Sequence, residues 1–214
     1  MKVFTQLKAF TKAACKKTTI HSTGILMRSL FFLMGFIFIA KVGTGQTTIF
    51  SENMGIPTAN TLITTYTGGT SPATFQNVAS LTYTGTGTTD VRLSTPSLIY
   101  TGASGNGNVF ITNSTTNSFQ ISGINTSGFS SLSLSFGHFK NTNASNNELI
   151  VEVSSDGTTY TPLTYTRATG TGTAIWTLVT PTGTIPSTNN LRIRFRQTST
   201  TTQFRIDDIV LKGT

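Results

Sequence analysis

"LRIRFRQTSTTTQFRIDDIVL", Leu191–Leu211, decides the fold. Leu191, Ile193 and Phe195 alternate with Arg192, Arg194 and Arg196, and after a polar break Phe204 and Ile206 alternate with Arg205 and Asp207 in a second run. Successive side chains of a β-strand point to opposite faces, so a period of two marks a strand with one buried and one wet face. The same pattern runs through the body of the chain. "SSLSLSF" puts Leu132, Leu134 and Phe136 on one face, and "ELIVEV" puts Leu149, Val151 and Val153 on one face with Glu148, Ile150 and Glu152 on the other. No apolar spacing of three and four persists long enough to predict a helix.

Working outward, "VEVSSDGTTYTPL" reads as a hairpin, with Asp156-Gly157 supplying the positive φ of a tight turn. Further strands are predicted at Thr48–Glu52, Thr61–Tyr66, Ser80–Tyr83, Asn108–Thr112, Phe119–Ile121, Ala174–Thr180 and Phe204–Leu211. Gly68–Gly107 is too rich in Gly, Thr and Ser for strands to be placed throughout. Its "TGTGTTD" and "TGASGNGN" lack the lysine and following helix of a phosphate loop and read as turns. About ten short strands with turn signals between them predict an all-β, antiparallel two-sheet β-sandwich.

The net charge of +8 divides unevenly. Seven basic residues and no acid precede Gln46, which leaves eight basic residues against all seven acids, a net of +1. The first 45 residues read as a secretory signal. A basic region leads into the apolar run Ser29–Ala40, shorter than the roughly 20 residues a bilayer span needs, and Gly43 and Gly45 stand before a cut at Gln46. An uncleaved N-terminal anchor is the alternative. The only cysteine, Cys15, precedes the apolar run, so a mature domain of residues 46–214 relies on its core without disulfides. The expected location is extracellular or at the cell surface, with the periplasm as an alternative. No membrane contact is expected once the signal is removed, and the oligomeric state is open. A body charge of +1 argues against nucleic acid as a partner.

"FSENMG", "DVRLSTPS", "YTGASGNGNVF", "FQISGINTSGFSSLSLSFG", "VEVSSDGTTYTPL" and "LRIRFRQT…FRIDDIVL" resemble a domain of secreted Bacteroidetes proteins. That domain is a jelly-roll, galactose-binding-like β-sandwich, often found beside extracellular nuclease, lamin-tail or secretion-sorting domains. The resemblance spans about Thr47 to Gly213 and is specific for family rather than activity. Jelly rolls of this type include carbohydrate-binding modules, which implies a glycan or other surface polymer as ligand. Many also hold a structural calcium where the first strand meets the last. Here Glu52 and Asn53 stand at the first, and Asp207 and Asp208 at the last. Strict alternation from Phe50 turns Glu52 inward, and from Ile206 turns Asp208 inward and Arg205 and Asp207 outward. Two buried carboxylates would repel, and Ca2+ held by Glu52, Asn53 and Asp208 would relieve the cost.

Catalytic patterns are sparse. His138 is the only histidine after the leader, and no nucleophile elbow, zinc-ligand cluster or recognisable carboxylate pair accompanies it. Alternation from Phe136 puts His138 at the inward end of its strand, with Phe139 opposite. His138, Phe139 and Lys140 form one candidate ligand-binding set. Arg192, Arg194 and Arg196 form the other, at a same-face pitch of roughly 6.6–6.8 Å that suits an anionic polymer. Pairing of those arginines with outward glutamates, Glu148 and Glu152, is the competing reading. Among aromatics, Trp176 shares a face with Leu178 and reads as core, while Tyr66, Tyr83, Tyr100, Tyr160 and Tyr165 are candidate sugar platforms. The leading expectation is a secreted non-catalytic binding module. The alternatives are a small calcium-dependent hydrolase and a purely structural envelope domain.

Overall fold

The alternation of Leu191–Leu211 is realised as two strands, one central to each sheet of a β-sandwich. The computed structural model describes residues 45–142, 144, 146, 148–167 and 175–214. The signal-segment expectation therefore falls outside the described residues, as does the predicted start of a strand at Ala174. No helix among the described residues is long and apolar enough to cross a membrane.

The strands are β1 (Thr47–Glu52), β2 (Thr61–Leu62), β3 (Thr82–Thr86), β4 (Asp90–Arg92), β5 (Asn108–Ile111) and β6 (Ser118–Ile124), followed by β7 (Ser133–Lys140), β8 (Ile150–Ser154), β9 (Thr161–Leu163), β10 (Trp176–Val179), β11 (Leu191–Arg196) and β12 (Phe204–Gly213). One sheet has five strands in the order β3-β6-β11-β8-β9. The other has seven, in the order β10-β7-β12-β5-β4-β2, with β1 also paired to β12. All pairings are antiparallel.

The inward faces meet in an aromatic and aliphatic core. Phe195 of β11 packs edge-on against Phe136 of β7 across the sandwich, with ring centroids 5.1 Å apart, and beside Phe119 of its own sheet. Phe75, from the stretch without predicted strands, stacks on Tyr83 at 4.2 Å. The predicted hairpin is present: β8 and β9 pair through Val153 and Thr161, and Gly157 takes φ 79°.

Three local expectations are corrected. Thr61–Tyr66 is not one strand: after β2 the chain makes a single helical turn, α1 (Ile63–Tyr66), which buries Ile63 and Tyr66 three residues apart on one side. The short strand β4 was not predicted. The third correction concerns the aspartates. β12 pairs with β5 through Phe204–Ile206 and with β1 through Ile209–Gly213, so Asp207 and Asp208 lie where the neighbouring strand changes. A register shift against β7 falls there, and Asp208 adopts φ 47°. This bulge breaks strict alternation. Asp207 keeps its outward parity, opposite Gly137 of β7, but the segment carrying Tyr100 and Ser104 covers it, so it is fully buried; Asp208 is half-buried and accepts from that same segment instead of turning inward. Arg205 is also buried: its guanidinium lies 4.6 Å from the Phe110 ring centroid and 5.9 Å from that of Phe139, and donates to Ser94 O and Asn108 Oδ1.

Candidate ligand-binding face

The two expected ligand sets part company. β7 carries Phe136, His138 and Lys140 on its inward face, and both His138 and Lys140 are fully buried. His138 lies among Phe136, Tyr165 and Phe204, and burial holds its imidazole down to about 3, so it is neutral at physiological pH. The Lys140 ammonium donates to Glu148 Oε1 at 2.7 Å, to Ala144 O at 2.9 Å and to Asn146 O. Phe139 points the other way, onto the outer face of the seven-stranded sheet beside Trp176 and Arg205. These three residues therefore do not form one surface site: the pleat sends two of them inward and one outward. Nor can a sealed, neutral His138 reach a substrate as a general base.

Glu148 is corrected as well. Just ahead of β8, it turns toward Lys140 and Arg167 instead of the arginine row. Trp176 is buried, but outside the central core, on the outer face against Phe139 and Tyr100. Tyr66 and Tyr83 are core residues, and Tyr165 spends its hydroxyl on Leu149 O, so none of these is a sugar platform.

The calcium expectation meets a different chemistry. Glu52, Asn53 and Asp208 do line one small pocket. Their oxygens, however, face N–H and O–H donors. Glu52 accepts from the Met54 and Gln76 backbone N–H groups and from the Tyr83 hydroxyl at 2.7 Å. Asn53 Oδ1 accepts from Gly55 N–H, and Asp208 Oδ2 accepts from Ser97, Tyr100 and Ser104 N–H. Donors present their positive ends where a cation would sit, and the carboxylates already have partners without one. The residues present do not fit a calcium ion. Thermal melting is accordingly expected to be the same in excess EDTA and in millimolar calcium, and a rise of Tm with calcium would contradict this.

The arginine row remains at the surface. On the outer face of the five-stranded sheet, Arg194 stands opposite Glu152 of β8 and Gln120 of β6. Arg194 Nε and Arg196 Nε both donate to Glu152 Oε1, at 2.7 and 3.0 Å. Cross-strand pairing thus accounts for two of the three arginines. The Arg194 guanidinium also lies 3.4 Å from the Tyr160 ring centroid, covering one face of a predicted tyrosine platform, while the Tyr160 hydroxyl donates to Gln120 Oε1. Next to this cluster runs an open groove of about 670 Å³. It is lined by Thr82 and Thr84 of β3, Gln120 and Ser122 of β6, Asn190 and Arg192, among others. Sequence reasoning found the arginines. It missed Thr82, Thr84, Gln120 and Ser122, although their outward parity beside Tyr83, Phe119 and Ile121 was available.

Fold and face together define a two-sheet antiparallel β-sandwich with a polar groove across the outer face of its smaller sheet. No protein-family model matches the chain, and no curated protein matches it. Among solved structures it is similar to the CBM22-1–GH10 modules of endo-1,4-β-D-xylanase 10B from Clostridium thermocellum, complexed with xylohexaose, at 14% identity and TM-score 0.45, covering 79% of this chain and 29% of that one. It is also similar to the CBM22-1 xylan-binding domain of Xyn10C from Paenibacillus barcinonensis, at 11% identity and TM-score 0.44, covering 79% and 96%. A third similarity is to TmCBM61 in complex with β-1,4-galactotriose, at 17% identity and TM-score 0.40, covering 63% and 88%.

Proposed function

We propose that this protein is a carbohydrate-binding module, secreted and non-catalytic, that holds a polysaccharide along the groove on the five-stranded sheet. One observation carries the reading: Thr82, Thr84, Gln120, Ser122 and Asn190 from separate segments converge on one open strip. Hydroxyl and amide side chains both donate and accept, as sugar hydroxyls do. Neighbouring strands lie roughly 4.7–4.9 Å apart, so the strip offers hydrogen-bonding groups in rows that a chain of linked sugars can follow. The hydrolase alternative draws no support from the site, since His138 is sealed in the core.

Affinity electrophoresis of the protein through gels containing xylan, galactan, polygalacturonate or heparin tests this. At least one polymer is expected to retard the protein. Thr84→Val with Gln120→Leu removes two hydrogen-bonding groups at about 1 kcal/mol each and is expected to weaken retardation tenfold or more, with the fold intact by circular dichroism. No retardation by any polymer, or retardation undiminished in the double variant, would contradict the proposal.

A further inference from the structure

The groove is electrically uneven. The strand residues on its sheet face carry three guanidinium groups, Arg192, Arg194 and Arg196, against one carboxylate, Glu152. Glu152 is nearly buried and is shared by Arg194 and Arg196. Arg192 has no carboxylate within ion-pair reach among the described residues. Its Nη1 donates to the backbone carbonyls of Ser155 at 3.1 Å and Asn190 at 3.3 Å. Those contacts use one of its three nitrogens, and both acceptors are neutral carbonyls. On the adjoining hairpin, Asp156 spends Oδ1 on Ser154 Oγ and on the Thr158 and Thr159 N–H groups that close the turn.

The hairpin also makes room for this side chain. Gly157 lies beside the guanidinium so closely that a Cβ there would meet Arg192 Cζ at 2.9 Å. Turn and arginine are thus fitted to each other, and Arg192 is held at the groove beside Gln120 and Ser122 before any ligand arrives. A fixed, unpaired guanidinium among hydroxyl and amide groups is a receptor for an anion borne on a polyhydroxylated chain, because charge-assisted hydrogen bonds from arginine are stronger than neutral ones.

We propose that the polymer is an acidic polysaccharide, bearing carboxylate or sulfate groups, and that Arg192 takes the anion while the neighbouring hydroxyl and amide groups take the sugar. This rests on the carbohydrate-binding reading of the groove. Titration calorimetry with four probes tests it: xylohexaose, a galacturonate oligomer, a heparin-derived oligosaccharide and a single-stranded DNA oligomer, each at low and at moderate salt. At least one acidic saccharide is expected to bind tenfold or more tighter than xylohexaose at low salt, with the advantage shrinking as salt rises. The galacturonate and heparin arms tell carboxylate from sulfate. Arg192→Gln is expected to abolish the preference for the acidic saccharide over xylohexaose, and Arg192→Lys to keep part of it. Equal affinity for neutral and acidic saccharides, or a preference that survives Arg192→Gln, would overturn the inference and leave the carbohydrate reading standing. Binding to DNA tighter than to any saccharide, or no saccharide binding at all, would overturn both.

Discussion

Lys140→Met is expected to destabilise the protein by roughly 3–5 kcal/mol, the range seen when one partner of a buried ionic group is removed. The methionine would fill a similar volume in a fully buried site. It would leave Glu148 Oε1 and the carbonyls of Ala144 and Asn146 facing a thioether in place of an ammonium donor. Arg167 donates to Ala144 O at 2.7 Å and approaches Glu148 Oε1 at 3.5 Å, so part of the network persists. At about 2–4 °C per kcal/mol for a chain of this size, the midpoint should fall by roughly 6–20 °C. Arg196→Gln, which removes a half-exposed partner of Glu152, should cost less than about 1 kcal/mol. Urea unfolding with an unchanged m-value measures both, and a loss below 1 kcal/mol for Lys140→Met would contradict the buried network.

The second large effect is on pH dependence. Asp207 is buried beside Asp208, and burial, with that neighbouring charge, raises its carboxyl to about 8. The folded chain then keeps a proton that the unfolded chain releases near its ordinary value of 3.8. The resulting stability is complete below that value and is lost as pH rises toward 8. Glu52, raised by its own burial, acts with the same sign. His138 opposes them: held down to about 3, it stays neutral in the fold while the unfolded chain takes up a proton below 6.5. Its contribution is complete above 6.5 and is lost as pH falls. Between about 6.5 and 8 His138 no longer contributes, and Asp207 should cost roughly 2 kcal/mol over that interval at about 1.36 kcal/mol per pH unit. Thermal melts from pH 4 to 9 should therefore place maximum stability on the acid side of neutrality. Asp207→Asn should flatten the alkaline decline by several degrees. A wild-type Tm that rises between pH 6.5 and 8 would show that Asp207 is ionised in the fold.

Much of this was legible from side-chain parity. Alternation in "LRIRF" correctly sent Leu191, Ile193 and Phe195 inward, and outward parity correctly paired Arg194 with Glu152. Carried two residues past His138, the same alternation sends Lys140 inward, a buried charge the pattern already contained. The bulge at Asp207–Asp208 was not legible, because it arises where β12 exchanges β5 for β1 along one edge. That exchange joins strands far apart in sequence, and it turned Asp208 toward Ser97, Tyr100 and Ser104 instead of the core. The hydrogen-bonding of Glu52 was not legible for a related reason: its donors include Gln76 N–H and Tyr83, 24 and 31 residues away in sequence. The groove was half-legible. Its arginines announced themselves, while Thr82, Thr84, Gln120 and Ser122 become a site only when β3, β6 and β11 lie side by side.

Backbone amide chemical shifts followed during titration with the polysaccharide fragment that binds best test the central claim most directly. Perturbations should cluster on Thr82–Thr86, Ser118–Ile124 and Leu191–Arg196, the three strands that build the groove. Perturbations confined instead to the outer face of the seven-stranded sheet, around Phe139, Trp176 and Leu178, would contradict it.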